Sequence, residues 1–123
     1  MGKFRISSNE KLLEIEVSGP LLQAEILKVI EEWYPQVVST RILWDLSKAD
    51  VHLLTEEDYV KIAVAARSKL PSYQSRRTAY VVADAKAFLK QWSYVERAAL
   101  IRVGAEYSVF TGRESAERWL GLR

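Results

Sequence analysis

The sequence predicts an α/β fold: a five-stranded, mixed but mostly parallel sheet with about four helices and an N-terminal β-hairpin. Three observations carry that expectation. Apolar and polar residues alternate with a period of two through Phe4 and Ile6, and again through Leu13, Ile15 and Val17, on either side of a Ser8-Asn9-Glu10 turn. Beyond Gly19, helical and strand patterns alternate, the order that builds parallel sheets through right-handed crossovers. The stretch RILWDLSKAD, Arg41 to Asp50, runs an apolar strand into an acidic residue shortly before a helix start. Open α/β sheets form ligand and partner sites at such strand ends.

Each element has its own warrant. Gly19-Pro20 ends the second strand and opens a first helix reaching about Tyr34, since proline is tolerated in a first turn. Leu22, Ile26, Val29, Ile30 and Trp33 make its apolar stripe, and Pro35 stops it. The third strand, Arg41 to Leu46, is apolar on both faces, which suits an interior position. Thr55 and Asp58 approximate a capping box for a second helix with a Tyr59, Ile62, Ala63, Ala66, Leu70 stripe. Pro71 to Ser75 is a loop, and Thr78 to Ala83 a fourth strand. Asp84 is placed to cap a third helix with Phe88, Trp92, Val95, Ala99 and Val103 inward and Gly104 as its C-terminal cap. Tyr107 to Phe110 is a fifth strand. Thr111-Gly112-Arg113-Glu114 reads as a capping box for a last helix that turns Ala116, Trp119 and Leu120 inward. All four tryptophans, Trp33, Trp44, Trp92 and Trp119, are expected in the core.

Composition excludes several kinds of chemistry. The 123 residues fit one domain, 1–123, and 49% hydrophobic with 28% charged residues is ordinary for a globular chain. Without cysteine there is no disulfide, thiol catalyst or cysteine zinc site, and a lone His52 rules out a multi-histidine metal site. No run approaches the ~20 apolar residues that span a bilayer, and residues 1–5 show no signal-peptide core, so a cytoplasmic location is expected, with possible contact at a membrane surface. The net charge of +2 is small, and the arginines are spread over several elements with no recognition helix, so nucleic acid is not expected. No nucleophile elbow, phosphate loop or dinucleotide fingerprint appears among five glycines. The expectation is a non-enzymatic protein without a cofactor or metal.

The element order resembles the STAS domains, above all the SpoIIAA-like branch named after bacterial anti-sigma-factor antagonists. The residues carrying it are Ile42-Leu43-Trp44-Asp45-Leu46 in the centre, Tyr80-Val81-Val82-Ala83-Asp84 at the next strand end, and Val109-Phe110-Thr111 with Ala116-Glu117-Arg118-Trp119-Leu120 at the close. The resemblance implies a SpoIIAA-like fold, also shared by lipid-carrying Sec14-type domains. It implies a regulatory binding module whose partner is another protein or a small apolar molecule, with a dimer possible. The signalling antagonists carry Asp-Ser-Ser-Gly or Asp-Thr-Ser-Gly, phosphorylated on the central hydroxyl, after the third strand. Here the corresponding residues are Leu53-Leu54-Thr55-Glu56, so the phosphoacceptor position falls on Leu54. A kinase-operated switch is therefore not expected.

The candidate ligand- or partner-binding residues are Asp45, Asp50, Thr55, Asp84, Trp92 and Tyr94. The three aspartates belong near the carboxyl ends of neighbouring strands, where they either contact a cation or basic partner or simply cap helices and fix turns. A competing reading to the core placement, which the SpoIIAA-like resemblance implies, is that Trp92 and Tyr94 on the long third helix border an apolar pocket or a lipid-facing surface. The alternative function is a peripheral, membrane-associating carrier of apolar ligands. The basic residues Lys86, Lys90, Arg97 and Arg102 on the same helix would support it.

Overall fold

The computed structural model describes residues 2–70, 76–101 and 105–122, with the side chains of 98–101 and 105 left aside. Five strands form one sheet in the spatial order β1-β2-β3-β4-β5. They are β1 (Lys3–Ser8), β2 (Leu13–Pro20), β3 (Arg41–Asp50), β4 (Arg76–Val81) and β5 (Ala105–Phe110). The β1–β2 pair is antiparallel and the other three pairs are parallel. The Asn9 carboxamide accepts the amides of Lys11 and Leu12 and closes the hairpin.

Helices α1 (Gln23–Trp33), α2 (Glu56–Lys69) and α3 (Ala85–Ile101) connect successive parallel strands. Because the strand order advances in one direction, right-handed crossovers put all three on one face. There Ile15, Ile30, Trp44, Ile62, Tyr80 and Val95 belong to one continuous core. The last helix, α4 (Arg113–Trp119), follows the final strand and has no crossover to complete. It packs on the other face, where Leu43, Ala79, Val81, Ala116 and Leu120 form a smaller cluster.

Several elements depart from the sequence expectation for local reasons. The first helix starts at Gln23, because Pro20 still pairs with Asp50 in the sheet and the Leu21 amide donates to the Asp50 carbonyl. Gly19, at φ 82°, turns the chain there as only glycine does readily. Strand β3 runs to Asp50 rather than Leu46, past a register shift between Glu16 and Ser18. Strand β4 spans Arg76–Val81, and β5 starts at Ala105. The Thr111–Glu114 capping box does not form. The N-cap of α4 is Gly112, which has no side chain to offer the helix amides. The expected loop at 71–75, Gly104 and Val103 lie outside the described residues.

The tryptophans divide three ways. Trp44 is buried, Trp33 and Trp119 are half-buried, and Trp92 is 38% exposed. Helix α3 is rotated from its expected stripe, so that Gln91, Tyr94 and Val95 face the core while Trp92 stacks against Phe88 at its edge. A glutamine in the core position disguised that stripe.

Candidate functional site: a tyrosine-lined pocket beneath the helices

The helix side of the sheet encloses a pocket of about 30 Å³, room for a group of a few atoms. Leu21, Ile26, Ile30, Leu46, Leu54 and Ile62 form its apolar wall. The polar part of the lining comes from five elements. Trp44 of β3 donates its Nε1 hydrogen to Tyr34 Oη at 2.9 Å, satisfying a buried indole. Tyr80 of β4 and Tyr94 of α3 stand edge to face, 5.7 Å between centroids, and their hydroxyls are hydrogen-bonded. Tyr59 of α2 tilts against Tyr94 at 5.4 Å. Gln91 of α3 brings a buried amide.

One polar atom stands apart. Tyr59 is only 5% exposed, and its Oη is fully buried without a hydrogen-bond partner among the described residues. A buried, unpaired hydroxyl costs about 1–3 kcal/mol, so such groups are uncommon outside functional positions. Burial pushes the Tyr59 hydroxyl up to about 12, and it raises Tyr80 and Tyr94 well above the ordinary tyrosine value. These three are neutral donors near pH 7, and among the described residues no charged side chain lines the pocket. The arrangement offers neutral hydrogen-bond donors rather than charge.

No protein-family model and no curated protein matches the sequence. Solved structures do match the fold, two of them over nearly the whole chain. One is an uncharacterized protein of the DUF3478 family with a SpoIIAA-like fold from Shewanella loihica. It is 18% identical, with a TM-score of 0.55 over 97% of this chain and 93% of that one. The other is the anti-sigma factor antagonist SpoIIAA in its unphosphorylated form, 16% identical, with a TM-score of 0.56 over 97% of this chain and 99% of that one. The fold is SpoIIAA-like. At these identities the likeness shows the architecture alone.

Within the SpoIIAA-like frame, the six sequence-predicted residues are dispersed. Only Tyr94 lines the pocket; Trp92, one residue beyond Gln91, lies on the outer surface of α3. Thr55 caps α2, its Oγ1 accepting the Asp58 amide at 3.1 Å while Asp58 Oδ2 accepts the Thr55 amide at 2.9 Å. Asp84 caps α3 by accepting the Ala87 amide at 2.9 Å. Asp50 accepts the His52 amide, and His52 Nδ1 lies 2.5 Å from the same oxygen; that contact holds the Asp50 carboxyl below its usual range.

Asp45 points away from the pocket, toward the opposite sheet face. It accepts the Ser47 amide and hydroxyl and lies 3.4 Å from Arg113. Among the described residues, no group of three or more acidic or histidine side chains is placed to hold a metal ion. Leu54, at the phosphoacceptor position of the resemblance, is buried in the pocket wall.

Sequence reasoning missed Tyr34, Tyr59, Tyr80 and Gln91 as site residues. Their signal was present but faint. Tyr59 lies on the apolar stripe of α2, where a hydroxyl needs a partner once it is buried.

The helix surface is less basic than its sequence suggests. Lys90 Nζ donates to the Val51 carbonyl at 2.6 Å, and Arg97 lies 3.3 Å from Glu56. Lys86 is exposed, and the Arg102 position lies outside the described residues. Leu89 is 70% exposed beside Trp92. Among the described residues, no helix is long and apolar enough to cross a membrane.

Proposed function

We propose that this chain is a non-enzymatic, STAS-type binding module that holds a small, neutral and largely apolar molecule between its helices and sheet. The observation that carries this reading is Tyr59 Oη, a buried donor without a partner among the described residues, in a pocket lined mostly by apolar and aromatic side chains. A ligand oxygen of the carbonyl, ether or hydroxyl kind would accept that hydrogen. An ionised ligand group would meet no counter-charge there, and burying an unpaired charge is prohibitive. The space admits the tip of a molecule as the helices stand, and a longer ligand requires α3 to move outward from the sheet.

The test is native mass spectrometry of the purified protein, followed by solvent extraction. A bound small molecule that is retained by the wild type and lost from Tyr59→Phe supports the reading. A protein that purifies empty and gains no mass from a panel of small neutral ketones and alcohols overturns it, and leaves regulation through a protein partner as the STAS-type alternative.

A second reading is the peripheral membrane carrier. It is supported by the exposed Leu89 and Trp92 on α3 and Leu53 in the loop before α2. The engagement of Lys90 and Arg97 within the protein counts against it.

A further inference from the structure

The sheet face opposite α1–α3 is covered by α4 over β4 and β5, and a second site lies on the uncovered part. Over the part of β1, β2 and β3 beyond Leu43, which α4 covers, the outward side chains are charged or hydroxylic, and the strand register arranges them in rows. Arg5, Glu16 and Asp45 make one row; Lys3, Ser18 and Lys48 make the next. The first row carries both signs and is drawn into ion pairs. Arg5 lies 3.8 Å from Glu16, while Arg113 Nη1 lies 3.6 Å from Glu16 and 3.4 Å from Asp45. In the second row, Lys3 and Lys48 make no ion pair or hydrogen bond among the described residues.

Lys48 reaches this face only because β3 is bulged. Ile42, Trp44 and Leu46 point toward the helices, and strict alternation would send residue 48 the same way. Between the pairs Glu16–Asp45 and Ser18–Lys48, β3 spends one residue more than β2. Asp45 secures this bulge by accepting the Ser47 amide at 3.0 Å and its hydroxyl at 2.6 Å. Beyond it, Ala49 and Val51 pack on the core and Lys48 turns outward. Bulges commonly re-aim a side chain in this way. The position of Lys3 is set by its pairing with Ser18, next to Gly2, where a Cβ would come within 2.8 Å of the Pro20 carbonyl. The resulting groove has a volume of about 370 Å³ and is lined by Lys3, Arg5, Ser18, Asp45, Ser47 and Lys48 among others.

We propose that this groove binds the phosphoryl group of a small, soluble phosphorylated molecule, gripped between the Lys3 and Lys48 ammonium groups with the Ser18 hydroxyl as a further donor. The two lysines sit two strand spacings apart, about 10 Å, a gap their long side chains can close around a dianion. Lys3, Arg5 and Lys48 outnumber Glu16 and Asp45 in the lining, so the groove carries one positive charge in excess. Its volume falls in the range of small-ligand sites, about 300–1,000 Å³. The site is on the opposite face from the tyrosine pocket and stands or falls independently of it.

The experiment is an amide-resolved NMR titration with inorganic pyrophosphate, with acidic phospholipid vesicles as a separate arm. Wild-type protein should show saturable shifts at residues 3–5, 16–18 and 45–48. Lys3→Ala and Lys48→Ala should each weaken affinity about tenfold, equivalent to about 1.4 kcal/mol. Lys86→Ala, on α3, should leave it unchanged, and added salt should weaken it. All three lysines are exposed, so the variants are expected to stay folded. Absence of saturable shifts at millimolar pyrophosphate, or undiminished binding in the double variant, overturns the proposal. Vesicle binding through the same lysines without pyrophosphate binding also overturns it, assigning the groove to lipid headgroups.

Discussion

Arg113 at the start of α4 reaches across the sheet to Glu14 of β2, with Nη2 and Oε1 2.8 Å apart. The same guanidinium lies within 3.8 Å of Glu16, Asp45 and Glu117, so one cation holds four carboxylates together on this face. The hydrogen bond from Arg113 is the main reason the Glu14 carboxyl is held below its ordinary value of 4.5. A carboxyl depressed in the folded state contributes stability that is present above its unfolded value and is lost as pH falls through the folded one. Arg113→Ala should therefore cost about 1–2 kcal/mol near neutral pH, below the ~1.5–3 kcal/mol of a well-buried hydrogen bond to a charged group because the guanidinium is partly in water. It should also flatten or reverse the acid side of the profile, because protonation would then relieve carboxylate repulsion. Urea unfolding of both proteins at about pH 7 and about pH 4 measures this. An equal loss at both values would show that Arg113 acts only through packing.

Tyr59→Phe separates stability from binding. Removing an unpaired buried hydroxyl relieves a desolvation cost, so the ligand-free variant should be as stable as the wild type or more stable by about 1 kcal/mol. A loss of more than about 1 kcal/mol in denaturant unfolding would mean that the hydroxyl already has a partner, and would remove the observation on which the ligand reading rests.

Leu54 replaces a phosphorylated hydroxyl in the family resemblance, and its burial at 5% exposure makes it a structural residue here. Leu54→Ser should cost about 2–5 kcal/mol, as core leucine truncations do, and should not create a usable kinase site. The neighbouring hydroxyls are engaged as well, Thr55 by the Asp58 amide and Ser47 by Asp45. Phosphopeptide mapping of protein from its native cells should find neither Ser47 nor Thr55 stoichiometrically modified. Substantial phosphate on either would restore the switch.

Trp119 holds α4 to the sheet with one face of its ring. Phe110 lies 5.8 Å away, and the Arg77 guanidinium sits 5.4 Å from the ring centroid while donating to the Trp119 carbonyl at 2.8 Å. Since the ring is half-buried, Trp119→Ala should cost about 2 kcal/mol rather than the 3–5 typical of a fully buried aromatic. Thermal unfolding with an unchanged midpoint would show α4 to be loosely attached.

The fold was legible where periodicity and capping chemistry agree. Leu13, Ile15 and Val17 set the hairpin face, and Thr55 with Asp58 marked the start of α2 to the residue. Errors came where one residue offset a pattern. The β3 bulge hid four more residues of strand, and Gln91 concealed the true inner stripe of α3. The pocket was barely legible because Tyr34, Tyr59, Tyr80 and Tyr94 belong to different elements and meet only through tertiary packing. The acidic strand ends drew notice for their chemistry. In the structure Asp84 caps α3, Asp50 fixes the turn at His52 and Asp45 secures a bulge, local tasks for which aspartate is equally suited.

Helix α3 decides the membrane question. Its exposed Leu89 and Trp92 offer apolar surface, but Lys90 is spent on the Val51 carbonyl and Arg97 on Glu56. An anionic surface contributes about 1 kcal/mol per free basic residue, so Lys86 alone supplies little attraction from this region. Co-sedimentation with acidic vesicles at low salt should accordingly leave the protein in the supernatant. Glu56→Gln, which frees Arg97, should raise binding only slightly. Strong salt-sensitive binding by the wild type that is abolished by Trp92→Ala would show that α3 leaves the sheet to meet lipid, and would favour the membrane carrier over the closed binding module.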